Sequence, residues 1–341
     1  MIHSANFCVT SRPKRLSRIL AAAAITLSIA LSARPQSAPP GSLHPQTPED
    51  LVAALHAAFG QHHARAVHAK GILLEGVFKP SEEGKALSRA PIFASGTLPL
   101  IARFSDFTGI PDIPDTATGA NPRGFAIKIR ANGGDVDVVT HSFNGFPVAS
   151  SDEFAVFLRA IAASGPGVPH PTPIEQFLDH NPTAKQFVTS QKPPPVSYAT
   201  IGYFGVNAFK FTNEAGRSTF VRYRFVPRTG EHYLSPQDVQ AKGPNYLLEE
   251  LPRRVAEAPV VFDWYAQLAE QGDATDNPSI AWPESRKQVL LGTLTLTRTA
   301  GVGTDSQTLF LPGTAHPGIE PADPMLTLRN DAYPISFNER Q

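Results

Sequence analysis

"GFAIKIRANGGDVDVVTH", residues 124–141, is the stretch that decides how this chain folds. Apolar and polar residues alternate on both sides of a central Asn-Gly-Gly. Period-two alternation gives each arm one face for a core and one face away from it. Asn and Gly supply the positive-φ positions that a tight hairpin turn requires. The stretch therefore reads as two antiparallel strands. Working outward, "FGVNAFKFTNEAGRSTFVRYRFV" (204–226) repeats the pattern as a second hairpin. "ILLEGVF" (72–78), "LPLIARFSDF" (98–107) and "QVLLGTLTLTRT" (288–299) read as further strands, and "VVFDWYAQLAE" (260–270) fits a strand better than a helix.

Helices punctuate these strands. In "TPEDLVAALHAAFG" (47–60), Thr47 caps, Pro48 takes the first helical position and Gly60 stops the helix. In "SSDEFAVFLRAIAASG" (150–165), Ser150 and Glu153 have capping-box spacing and Gly165 marks the close. "PIEQFLDHNPTAKQFV" (173–188) reads as two short helices divided at Pro182, and "NYLLEELPRRVAEA" (245–258) as one. "MLTLRNDAY" (325–333) reads as a short helix ending at Pro334. Seven or eight strands with helices between the hairpins are too irregular for a doubly wound sheet. The expected class is α+β, an antiparallel barrel with inserted helices.

The chain has 341 residues, with 30 Lys+Arg balanced by 30 Asp+Glu. Zero formal charge gives no long-range attraction to nucleic acid or an anionic membrane. The single cysteine, Cys8, lies in a leader-like segment. There the basic "RPKRLSR" (12–18) precedes the apolar "ILAAAAITLSIAL" (19–31), with small residues at Ala30, Ser32 and Ala33. About 13 apolar residues fall short of the ~20 that span a bilayer. Residues 1–33 therefore read as a signal peptide for a periplasmic or secreted protein without a membrane span after processing. Residues 34–46 read as a Pro/Ser-rich tether, and 47–341 as one domain. No Walker loop, Rossmann fingerprint, HExxH or paired-cysteine site occurs. "RAVHAKG" (65–71) puts an imidazole at the mouth of a strand, which by itself reads as a surface histidine. The His62, His63 and His68 group lacks a separate ligand cluster for zinc.

The blocks "RAVHAKG" (65–71), "ARFS" (102–105), "NPRGFAIK" (121–128), "DVDVVTHSFNGFPVASSDEF" (135–154), "GVNAFKF" (205–211) and "PGIEPADPMLTLRNDAYP" (317–334) change that reading. In that order they resemble the haem-containing catalase family, over roughly residues 45 to 341. The resemblance implies an eight-stranded antiparallel barrel with a buried haem b. It places Tyr333 as the axial iron ligand. Arg329, four residues earlier, shares its helix face. Free phenols titrate near ~10, so an anionic phenol needs the help of metal and cation. His68 matches the distal base that moves a proton between the two peroxide oxygens. Ser105 matches its tautomer-fixing partner. Val67 matches an apolar wall, and Phe154 a ring stacked on the haem, although on its own helix it reads equally as core. Arg65, Arg103 and Arg340 match the arginines that hold the propionates.

Three positions depart from the family pattern. His141 falls where the family has a distal asparagine, and a histidine there is bulkier and able to carry charge. Asn121 replaces a channel aspartate. The sequence stops soon after Tyr333, where large catalases continue. Together these favour similarity to the small catalase-related peroxidases. The implied function is reduction of hydrogen peroxide or organic hydroperoxides by small organic donors, with low catalase activity, in a monomer or homodimer. A hydroperoxide isomerase and a periplasmic haem carrier are the alternatives. The proton relay implied for His68 and Ser105 argues against the carrier.

Overall fold

The computed structural model describes residues 45–341. The leader, Cys8 and the tether up to residue 44 lie outside the described residues. Eight strands form the barrel: β1 (Gly71–Pro80), β2 (Leu98–Ser105), β3 (Gly124–Ile129), β4 (Val136–His141), β5 (Tyr203–Thr212), β6 (Ser218–Pro227), β7 (Val260–Leu268) and β8 (Gln288–Thr299). Each pairs antiparallel with the next in sequence, and β8 returns to β1. Between β4 and β5 the closure rests on one pair, His141 with Phe204. A ninth strand, β9 (Ile319–Pro321), continues that edge of β5. The expected barrel with inserted helices is the architecture of the chain.

Alternation along each strand fills the barrel with rings. Phe104 stacks on Phe125 at 4.7 Å between centroids, and Phe125 meets Tyr203, Phe225 and Phe262 at 4.9–5.2 Å. Trp264 closes the other end against Phe225, Tyr223 and Phe78. These side chains are buried in one continuous core. The neighbours of Phe104 in β2, Arg103 and Ser105, point to the opposite face of the sheet. Strand register places Gly71, Ser105, Gly124, His141 and Phe204 in one row across β1 to β5.

A second, smaller core covers that outer face. It joins the helix Pro48–Phe59 through Leu51, Val52, Ala54 and Leu55, the helix Ser151–Ala162 through Ala155 and Leu158, and the helix Met325–Asn338 through Ala332. Burying each leucine contributes about 1.5–3 kcal/mol. Among the described residues no helix is long and apolar enough to cross a membrane.

Local punctuation operates largely as the sequence predicts. Thr47 Oγ1 accepts from the Asp50 amide in a reciprocal capping box, with Pro48 in the first turn. Ser150 caps its helix, but the Glu153 carboxylate accepts from the Ala149 amide at 2.8 Å and not from Ser150. That helix ends at Ala162, three residues before Gly165. Pro182 opens the second of two short helices, Pro173–His180 and Pro182–Thr189. Strand β2 stops at Ser105; the Asp106 amide still donates to Lys70 O at 2.9 Å, and its carboxylate forms a buried ion pair with Arg123. Pro334 does not end the last helix, which runs to Asn338. Contacts beyond the proline hold the extra turn: Ile335 packs into the second core, and Ser336 Oγ accepts from the Ala66 amide at 3.1 Å. Four short helices, Glu82–Leu87, Pro91–Ala94, Pro236–Ala241 and Thr304–Gln307, have no counterpart in the sequence reading.

Candidate active site

One cavity lies between the outer face of β2–β5 and the three covering helices. Its walls border about 1260 Å³ of free space, open solvent at the mouth included. His68, Ser105, His141, Phe154, Arg329 and Tyr333 all line it. So do Arg65, Val67, Arg103 and Arg340, so the fold brings together all ten residues that the resemblance assigns to the haem site.

His68 sits just before β1 in a left-handed conformation, φ 59°. That is an uncommon setting for a histidine, and it persists only where surroundings enforce it. Here the His68 amide donates to Phe107 O at 2.8 Å and the Ala69 amide to Thr108 O at 2.9 Å. The ring is fixed as well. Nδ1 lies 2.9 Å from Asp106 O and 3.1 Å from Ser105 Oγ. A carbonyl only accepts, so Nδ1 carries the proton and Nε2 keeps a free lone pair. Phe107 meets the ring edge-on at 5.5 Å. Desolvation, then repulsion from Arg103, pushes His68 down to about 3, so the imidazole is neutral at physiological pH. Gly124 makes this packing possible: a Cβ there would stand 2.5 Å from His68 Nδ1 and closer still to Ser105 Oγ.

His141 has the opposite tautomer. Its Nδ1 accepts from the Phe143 amide at 3.4 Å, which leaves the proton on Nε2. That N–H is buried without a protein partner. Desolvation and then Arg329 push His141 down to about 3. Of the two states open to a histidine here, the cavity presents the neutral donor. Phe146 and Phe187 flank the ring, each with centroids 6.3 Å away. Phe154 stands 4.9 Å from Phe146 and also packs on the second core, so it serves both as wall and as core. Val67 does the same.

Across the cavity, one turn of the last helix joins Arg329 Nη2 to the Tyr333 hydroxyl at 2.8 Å. Arg329 Nη1 donates to Asn207 Oδ1 at 2.6 Å, and Asn207 Nδ2 donates to Asp323 Oδ2 at 2.8 Å. Asn207 lies where the β5–β6 register shifts between Gly205 and Phe209, a bulge that re-aims side chains. Asn207 and Asp323 were not singled out from the sequence. "GVNAFKF" held Asn207 in plain view, but alternation alone gave its amide no role.

At the third corner, Arg65, Arg103 and Arg340 converge. Arg65 and Arg103 both pair with Asp305. Arg65 and Arg340 share the carbonyl of Thr308 at 2.9 Å each. Arg340 also stacks over Phe337 at 4.7 Å, which holds the penultimate residue in place. Asn121, by contrast, does not line the cavity, and its amide donates to Lys192 O at 3.3 Å.

Behind His68 lies a buried ionic network. Asp106 pairs with Arg123 and accepts from Tyr198 Oη at 2.7 Å, while Lys70 pairs with Asp115. Burial pushes the Asp106 carboxyl up, and Arg123 opposes it. The network anchors the segment whose carbonyl holds His68.

The same arrangement can be set beside known proteins. A family model described as Catalase matches residues 56–340. A catalase-related peroxidase of Synechococcus elongatus is 36% identical over 86% of this chain and 88% of its own length. Another, from Mycolicibacterium paratuberculosis, is 34% identical over 86% of this chain and 95% of its own. Among solved structures, a fungal catalase superposes with a TM-score of 0.72 at 22% identity, covering 81% of this chain and 59% of that one. Its likeness concerns the fold alone. The extent of the family match and the identity of the two peroxidase relatives place this chain in the catalase family.

Proposed function

We propose that this chain is a haem-dependent peroxidase that reduces hydrogen peroxide or organic hydroperoxides with organic electron donors, and has low catalase activity. The observation that carries the reading is the pair of fixed tautomers facing one cavity: a free acceptor at His68 Nε2 and an unpartnered donor at His141 Nε2.

The residues present fit haem b. Three guanidiniums against one carboxylate leave two positive charges, which match two propionates. Arg340 Nε is buried without a protein acceptor, as a group awaiting an anion would be. Apolar walls from Val67, Val206 and Phe154 suit a porphyrin face. Tyr333, with a guanidinium on its hydroxyl, suits an anionic oxygen ligand. Bound there, haem supplies the redox-active iron at which peroxide is reduced and to which donors return electrons.

The rest falls to the protein's own side chains. His68 Nε2 takes the proton from one peroxide oxygen and hands it to the other, which leaves as water or an alcohol. Asp106 O and Ser105 keep the proton on Nδ1, so Nε2 is always the relay atom. His141 Nε2–H orients the oxygens by donation. With two electrons and two protons overall, R–O–O–H yields R–OH and water. The leader-like sequence supports a periplasmic or secreted location as part of this proposal.

The test is a spectrum of purified, haem-supplemented protein followed by steady-state assays. Haem binding with peroxide-dependent oxidation of a phenolic donor is expected, with little oxygen release. Colourless protein, or donor-independent conversion of the hydroperoxide, refutes the reading.

A further inference from the structure

The arginine corner holds a carboxylate that nothing above assigns. Asp305 stands on the short helix Thr304–Gln307, which follows Gly303 in the left-handed conformation at φ 83°. Its Oδ1 accepts from Arg65 Nη2 at 2.8 Å and from Arg103 Nε at 2.7 Å, and its Oδ2 from Arg103 Nη2 at 3.1 Å. The bidentate grip on Arg103 is the geometry in which a guanidinium and a carboxylate bind best. Arg103 gives two further donors to the carbonyls of His68 at 2.8 Å and Ala69 at 3.1 Å. Asp305 therefore reaches the backbone of the left-handed distal histidine through a single side chain.

The charges show what the corner lacks. Burial, and then repulsion from Arg103, pushes Arg65 down to about 9, with Asp305 opposing. Burial pushes Asp305 up, but Arg103 and Arg65 more than offset it and hold its carboxyl below the ordinary range. Asp305 is thus ionised, and positive charge still dominates. The donors are not exhausted either. The protein partners of Arg65 all lie on Nη2, and Arg340 Nε has none. Incoming carboxylates have N–H groups to take without displacing Asp305.

We propose that Asp305 is a positioning residue of the haem site, a third carboxylate that stays between Arg65 and Arg103 when the two propionates bind. It fixes both guanidinium forks, and with the propionates it brings the three-arginine cluster to zero charge. This rests on the haem reading above. A fixed anion at the propionate edge favours the more positive, oxidised iron, so it lowers the ferric/ferrous midpoint potential.

The experiment is a spectroelectrochemical titration of the full-length holoprotein, wild type beside Asp305→Asn and Asp305→Glu, at low and high salt. Asp305→Asn is expected to keep its haem bands and shift the midpoint potential positive, by less at high salt. Asp305→Glu is expected to restore the wild-type potential. A merely structural role would not follow charge in this way. An Asn variant with haem bound and an unchanged potential overturns the proposal. If the Asn variant cannot be loaded, Asp305→Glu decides: loading with the wild-type potential supports the proposal, and failure to load, or a shifted potential, overturns it. A wild type that takes up no haem sinks the haem reading and this inference together. Normal loading beside an unresponsive Asn variant sinks the inference alone.

Discussion

Adding one methyl group at Gly124 is expected to disable the distal side. The Cβ of Gly124→Ala would stand 2.5 Å from His68 Nδ1 and 2.8 Å from His68 Cε1, where ordinary contact begins at 3.4 Å. The ring must retreat by about 0.9 Å, and its left-handed backbone, pinned by two amide bonds, cannot follow. The Nδ1 to Asp106 O bond, now 2.9 Å, then opens beyond hydrogen-bonding range. Overpacking costs about 1–3 kcal/mol and the lost hydrogen bond about 0.5–1.5 kcal/mol, so the variant should lose roughly 2–4 kcal/mol of stability. Misplacing a relay atom by this much should slow peroxide reduction by about 100-fold. Urea unfolding followed by tryptophan fluorescence reads the first number, and stopped-flow mixing with peroxide reads the second. Replacing Ser105 by Ala in the same background removes the closest clash, and should recover stability without recovering rate. A Gly124→Ala protein with wild-type midpoint and rate would show that this close packing has no bearing on the relay.

His68→Ala should keep its haem and reduce peroxide about 100-fold or more slowly, and unchanged stopped-flow traces would remove His68 from the mechanism. Because the relay form proposed for His68 is the unprotonated one and burial puts its proton uptake down at about 3, the rate of the first step should stay flat from about pH 8 down to about pH 4, and an inflection near ~6.5 would contradict the environment described. Tyr333→Phe should weaken haem retention and shift the absorption bands, whereas native bands with native turnover would rule out ligation through its oxygen. His141→Asn swaps one neutral donor for another of smaller volume and should raise oxygen release from hydrogen peroxide, measured with an oxygen electrode. No increase would show that bulk at this position does not limit dismutation.

The barrel was legible because its strands carry their period openly. Two hairpins with Gly or Asn at the turns and alternating arms supply four of the nine strands, and the apolar, β-branched runs of β1, β2, β7 and β8 supply four more. Local rules failed where distant partners outvoted them. Phe107 makes β2 look two residues longer, but beyond Ser105 its partner is the irregular segment before β1, where Asp106 donates to Lys70 O and Phe107 O accepts from the left-handed His68. Pro334 looks like a stop, but Ile335, Ser336 and Arg340 all find partners beyond it. The candidate site was legible through motif blocks, not through periodicity. Asp305 stayed hidden because "GVGTDSQ" (301–307) is polar and aperiodic, and its partners Arg65 and Arg103 lie 240 and 202 residues away. Neither histidine's tautomer can be read from sequence, since each is set by a main-chain group: Asp106 O for one and the Phe143 amide for the other.

The row that runs Gly71, Ser105, Gly124, His141 and Phe204 has a consequence for how such a site tolerates change. Neighbouring strands are spaced by about 4.8 Å, and successive side chains alternate between faces. Inserting or deleting a single residue within β2, β3 or β4 would turn the affected side chains towards the aromatic interior, however conservative the composition. Length changes should therefore be confined to the connecting loops, where libraries can be built freely, while the three strands accept substitutions but no shift in frame.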